Sequence, residues 1–212
     1  MTTARSETLT GTVDILFPEF HAPPADPVPL LRAWFDEAVR LGVREQRALA
    51  LATAGTDGRP STRMVALNRI EDDGFVFATH VGSRKGREMT ANPWASVVLY
   101  WRETSQQLVV TGAVERLSTA VADELWFSRP PFTHPMSVAA RQSEELHDLD
   151  ALRAEVARLA QHGDPLPRPE GYAGFLLRFD ALEFWANGAD RLHERLVYER
   201  SGDGWRTRRL QP

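Results

Sequence analysis

Apolar positions along the chain follow two different spacings. From Pro29 onward, Leu30, Leu31, Trp34, Phe35, Ala38, Val39 and Leu41 recur at helical intervals, with Pro29 suited to a helix start and Gly42 to its end. From Ala48 the pattern shortens to that of strands. Ala48–Ala54 is a compact apolar run that Thr56-Asp57-Gly58 turns into a long strand beginning near Pro60. Arg63–Ile70 and Phe75–His80 then flank the polar turn Glu71-Asp72-Asp73-Gly74, which predicts a hairpin. Gly86–Ala91 reads as a short helix that stops at Asn92, because a residue before proline avoids the helical region.

Trp94–Trp101 and Gln106–Leu117 read as two further strands, and Ser118 is placed to cap a helix through Trp126 that Pro130-Pro131 terminates. Asp148 can cap a second helix with Leu149, Leu152, Val156 and Leu159 along one side and Gly163 at its end. Tyr172–Trp185, Arg191–Arg200 and, after the turn Ser201-Gly202-Asp203-Gly204, Trp205–Leu210 complete the strands. Roughly seven strands with short connections and roughly four or five helices favour a mainly β, α+β fold. The expected form is a Greek-key-type barrel with helices packed outside.

Residues 1–28, with the proline-rich HAPPADPVP, read as an N-terminal arm, and residues 29–212 as one domain. The cluster Val13, Ile15, Leu16 and Phe17 is too apolar for a solvated tail and is expected to pack on the body or on a second subunit.

Composition narrows the chemistry. A net charge of −4 gives no reason to expect nucleic acid or an anionic membrane as partner, so any anion site must be local. The absence of cysteine removes disulfides, thiolate metal sites and cysteine nucleophiles together. No secretory leader or membrane-length apolar run is seen, and a soluble cytoplasmic protein is expected. The histidines form no metal-ligand pattern, so no metal is expected, and nucleophile-elbow and nucleotide-loop motifs are missing.

The stretch from Arg63 to Glu88 runs strand, turn, strand and then Gly-Ser-Arg-Lys into a helix start. Arg84 and Lys85 there are either solvated surface charges or, with the unpaired N–H groups of a first helical turn, a site for a phosphate ester on which Arg63 can close. Arg191, His193 and Arg195 alternate, which places three potential cations on one strand face. That face is either solvated or a polar wall for a carboxylated or flavin-like partner. Gln107 is either an edge residue or an amide that recognises a heterocycle, and Arg141-Gln142-Ser143 is either loop chemistry or part of a site.

The ordered run of RMVAL, FVFAT, GSRK, the paired glutamines, ERLS, SRP, RQS, EFW, RLHER and RLQP resembles the pyridoxamine 5′-phosphate oxidase family from about residue 29 to the C-terminus. The resemblance implies a split β-barrel with FMN at a homodimer interface. Arg63, Thr79, Arg84, Lys85 and Ser143 would hold the phosphate and ribityl end. Met64, Val65, Gln107, Gln142, Trp185 and Arg195 would line the isoalloxazine, with Arg191 and His193 positioning substrate.

Departures from the family are informative too. Asn68 stands where members acting on pyridoxine phosphates carry lysine, and Leu125 where they carry a phosphate-binding tyrosine, while Arg129 is kept in the substrate pocket. Losing an ammonium and a phenol weakens any clamp for a substrate phosphate, each charged hydrogen bond contributing on the order of 1.5–3 kcal/mol. LTGTVDILFPEF and WFSRPPFTHPMS are similar to the branch serving phenazine biosynthesis. In that branch an FMN-dependent oxidase would dehydrogenate a reduced phenazine carboxylate and reduce O2 to H2O2, with Leu125, Trp126 or Phe132 against a broad aromatic body. A pyridoxine or pyridoxamine phosphate oxidase and a non-catalytic flavin-binding protein remain as alternatives.

Overall fold

The computed structural model describes residues 15–161, 163, 165–188 and 192–212. Within them, strands β1 (Ala48–Ala54), β2 (Pro60–Ile70), β3 (Gly74–His80), β4 (Trp94–Trp101), β5 (Gln106–Arg116) and β6 (Tyr172–Arg178) pair antiparallel in the order β4-β1-β2-β3-β6-β5. The pairing of β5 back to β4 closes them into a six-stranded barrel. Strands β7 (Ala181–Ala186), β8 (Glu194–Ser201) and β9 (Gly204–Leu210) continue from β5 as an open wing. The helices are α1 (Pro27–Arg40), α2 (Arg84–Ala91), α3 (Thr119–Phe127), α4 (His134–Ala139) and α5 (Leu149–Ala160).

Barrel and wing meet at a fork on β5. Val114–Arg116 pair with β6, whereas Gln106–Thr111 pair with β7 on the same edge. Between the two, the Asp180 carboxylate accepts the Ala113 N–H at 2.7 Å and the Asp180 N–H donates to the Thr111 carbonyl at 3.2 Å. Gly112 makes this crossing possible, since a Cβ there would lie 2.2 Å from the Arg178 carbonyl oxygen. The apolar run that reads as one strand from Tyr172 to Trp185 is therefore two strands. Phe179 and Asp180 carry the chain from one partner strand to another, a tertiary event that leaves no mark on apolar spacing.

The barrel interior is filled by alternating residues such as Leu49, Leu51, Val97, Leu99, Leu108, Val110, Phe75 and Phe77. Helix α1 covers one side with the predicted stripe, Trp34 meeting Phe184 edge-on at 5.1 Å and Phe35 meeting Trp101 at 5.1 Å. Val39 departs from that stripe and is exposed. The helix begins at Pro27, two residues before Pro29, because the Asp26 side chain accepts the Val28 N–H and caps it. Phe17 packs against Trp34 at 5.0 Å and is buried, worth about 1.5–3 kcal/mol in apolar area. Leu16 is exposed, and Val13 lies outside the described residues. A second apolar cluster of Val76, Leu125, Trp126, Tyr172 and Leu176 joins α3 to the outside of the barrel. No helix among the described residues is long and apolar enough to cross a membrane.

Candidate functional site

Helix α2 starts where β3 ends. Ser83 caps it by accepting the Gly86 N–H at 3.2 Å and donates its own hydroxyl to the His80 carbonyl at 2.7 Å. The first turn lies so close to the strand that a Cβ on Gly86 would fall 2.5 Å from the carbonyl oxygens of His80 and Val81. This fixes Arg84 and Lys85 beside Arg63 of β2. The Arg84 N–H donates to Ser143 Oγ at 3.1 Å, and Lys85 Nζ donates to Gln142 Oε1 at 3.0 Å. Thr79, buried on β3, donates to the same oxygen at 3.4 Å. The structure thus gathers Arg63, Thr79, Arg84, Lys85, Gln142 and Ser143. Gln142 joins the cationic end of the site, although the resemblance groups it with the ring-binding residues.

One residue of this cluster escaped the sequence reading. Glu88 pairs with Arg63 at 3.3 Å and accepts from Arg84 Nε at 2.8 Å, Thr53 Oγ1 at 2.5 Å and Ser61 Oγ at 2.5 Å. Its side chain is only 11% exposed. Burial would raise its pKa, but the hydrogen bonds from Ser61, Thr53 and Arg84 outweigh that and hold the carboxyl at about 2. The spacing of four residues from Arg84 was the available signal. The link to Arg63 is long-range and invisible in sequence.

Three cations against one carboxylate leave two positive charges in excess at this end. Burial, followed by the charge of Arg63, lowers the Lys85 pKa. Burial, Lys85 and Arg129 lower that of His80. A phosphate monoester, a dianion with several acceptor oxygens, matches this donor set and offsets the repulsion between Lys85 and Arg63.

A second group lies on the wing. Trp185 stands in register with Gln107 of β5 on one side and Arg195 of β8 on the other. Arg195 Nε donates to Glu183 Oε1 at 2.6 Å, and this bond raises the Arg195 pKa. Of the alternating residues Arg191, His193 and Arg195, the last has a carboxylate partner. Glu183 pairs with Arg195 and holds its guanidinium in place, and His193 precedes β8 with its ring 4.8 Å from Trp185. His193 Nδ1 is buried without a hydrogen-bond partner in the described structure. Arg191 lies outside the described residues.

Met64 and Val65 alternate across β2. Met64 is exposed, while Val65 packs against the core. Both border a cleft of about 430 Å³ that also touches Glu45, Gln46, Arg47, Ala48 and Ala66. Among the described residues no hydrogen bond, ion pair or ring contact joins the phosphate-type cluster to the Gln107, Trp185 and Arg195 group.

One expectation about the substrate side changes. Leu125 and Trp126 are buried, and Trp126 Nε1 donates to the Leu166 carbonyl at 2.7 Å, so neither is a free wall for an aromatic ligand. Phe132 is 83% exposed. Arg129 stacks over Trp126 and Tyr172 at 5.0 and 5.4 Å and donates to Ser137 Oγ at 2.9 Å. Among the described residues no cluster of side chains fit to hold a metal ion occurs.

Comparison with known proteins gives a concordant result. The family model described as pyridoxamine 5′-phosphate oxidase matches residues 35–163, and that described as pyridoxine 5′-phosphate oxidase C-terminal dimerisation region matches residues 172–212. The chain is 59% identical to a dihydrophenazinedicarboxylate synthase of Pseudomonas chlororaphis, covering 98% of this chain and 93% of the relative. It is 42% identical to a pyridoxine/pyridoxamine 5′-phosphate oxidase of Rubrobacter xylanophilus over 88% of this chain and 87% of the relative. Among solved structures, PhzG of Burkholderia lata, in complex with tetrahydrophenazine-1-carboxylic acid, superposes with a TM-score of 0.92 at 50% identity. That match covers 95% of this chain and 100% of the other.

Proposed function

The chain belongs to the pyridoxamine 5′-phosphate oxidase family of flavin-dependent oxidoreductases, and from that premise we propose that it dehydrogenates a reduced phenazine carboxylate in phenazine biosynthesis. The cofactor in this reading is FMN, and the site is intracellular. The observation that carries it is an asymmetry between two phosphate-binding sets. The cluster of Arg63, Arg84, Lys85 and Ser143 is intact, whereas the substrate-side set has Asn68 for lysine and a core-buried Leu125 for tyrosine.

FMN, when bound, would supply the two-electron redox chemistry that couples dehydrogenation of the substrate to reduction of O2 to H2O2. Arg63, Arg84 and Lys85 hold its phosphate, and Thr79, Ser143 and Gln142 position that end. Gln107, Trp185, Met64 and Val65 would line the ring system. Arg195, held in place by Glu183, supplies a fixed positive charge beside the ring. His193, braced on Trp185, orients the substrate together with Arg191. No general base is required, because the product gains aromaticity.

The C-terminal strands match a dimerisation region, and the protein is a homodimer. In the proposed arrangement FMN lies at the interface, with the phosphate cluster from one subunit and the Gln107, Trp185 and Arg195 group from the other.

Retention of Arg129 favours a second reading, oxidation of pyridoxamine 5′-phosphate. Oxygen uptake and H2O2 release by FMN-loaded protein, with reduced phenazine carboxylates and with pyridoxamine 5′-phosphate, separate the two. The phenazine substrate is expected to be turned over at least about tenfold more efficiently, and comparable turnover of both would overturn the first reading.

A further inference from the structure

We propose that Arg47 recognises the carboxylate of the substrate, an inference that rests on the functional reading above and assigns a specificity residue within it. Arg47 stands between two clefts. One is the largely apolar cleft bordered by Ala48, Met64, Val65 and Ala66; the other holds Asn68, Arg69 and Glu71. Its guanidinium donates one N–H to the Asn68 main-chain carbonyl at 3.1 Å, and the side chain is otherwise exposed. No carboxylate among the described residues pairs with it, including Glu45, which borders the same apolar cleft.

Asn68 is the position at which the phosphate-handling members carry a lysine. Here the side-chain charge at position 68 is gone, and a charge of different shape is anchored to the same residue's backbone by Arg47. The change of shape matters. An ammonium is a compact point charge, whereas a guanidinium presents parallel N–H groups that match the two oxygens of a carboxylate. One N–H is committed to the Asn68 carbonyl, which fixes the plane and leaves four donors for a ligand. A largely apolar cleft with one oriented guanidinium at its rim suits an aromatic acid.

The test uses the FMN-loaded homodimer with Arg47→Gln and Arg47→Lys. Binding of phenazine-1-carboxylate and of unsubstituted phenazine is read from the perturbation of the flavin absorbance spectrum, and KM and kcat are measured for a reduced phenazine carboxylate. Arg47→Gln is expected to weaken phenazine-1-carboxylate about tenfold or more and to raise KM similarly, while phenazine binding and kcat change less than about threefold. Arg47→Lys recovers part of the loss. Wild-type discrimination between the two phenazines retained in Arg47→Gln, or an equal loss for both, overturns the inference alone. Wild-type protein that retains FMN and binds neither phenazine overturns the functional reading, and the inference with it.

Discussion

Arg63 of β2 and Glu88 of α2 form an ion pair at 3.3 Å across 25 residues of sequence, and Arg84 closes on the same carboxylate from the helix side. Two of the three cations assigned to the FMN phosphate are therefore held by one buried acid before any ligand arrives.

That pair makes stability depend on acid in a defined window. The Glu88 carboxyl is depressed from its ordinary 4.5 to about 2 in the folded state, so its contribution is fully present above about pH 4.5 and is lost as pH falls through about 2. Glu88→Gln is expected to destabilise the cofactor-free protein by about 1–3 kcal/mol at neutral pH and to flatten the fall in stability between pH 4.5 and 2. Denaturant titrations of both proteins across that range check this. An unchanged acid limb would show that Glu88 is not the group responsible.

Lys85→Ala removes the charge that joins α2 to Gln142. FMN affinity is expected to fall about 10- to 100-fold, with free riboflavin, which lacks the phosphate, affected far less. Quenching of flavin fluorescence on titration measures both.

Arg195→Gln removes the positive charge held by Glu183 near the proposed ring site. The bound flavin is expected to become harder to reduce, its midpoint potential moving negative by about 30 mV or more, a shift that corresponds to about 1.4 kcal/mol for two electrons. FMN affinity at the phosphate end should change little. A spectroelectrochemical titration reads the potential directly.

Gly112→Ala places a methyl group 2.2 Å from the Arg178 carbonyl oxygen and 2.6 Å from Asp180 Oδ2. Because the neighbour at closest approach is backbone, the expected loss is about 2 kcal/mol or more of stability. Guanidinium unfolding followed by tryptophan fluorescence tests it.

Asn68→Lys restores the missing ammonium on the substrate side. The KM for pyridoxamine 5′-phosphate is expected to fall about tenfold, and that for a reduced phenazine carboxylate to change much less. Steady-state kinetics with both substrates decide the matter.

Much of this architecture was legible in the sequence because its signals are local. The α1 stripe, the Ser118 and Asp148 caps, the Asp72-Asp73-Gly74 turn and the placement of Ser83-Arg84-Lys85 at a helix start all follow from nearest-neighbour chemistry. The misses share a cause. The Asp180 fork, the Glu88 and Glu183 counter-charges and the burial of Leu125 and Trp126 depend on which distant segments meet, and hydrophobic spacing carries no record of that. The fourth helix, His134–Ala139, is only six residues long and follows Pro130-Pro131, so its helical signal is weak.

The fork on β5 has a consequence for how the holoenzyme comes apart. Since one continuous strand is shared by the barrel and the wing, a chain that has closed its barrel has also set where Gln107 sits and the position at which Trp185 pairs with it. In the proposed arrangement, with FMN at the interface, diluting the enzyme until its subunits part would release the flavin, and cofactor occupancy would become a function of protein concentration.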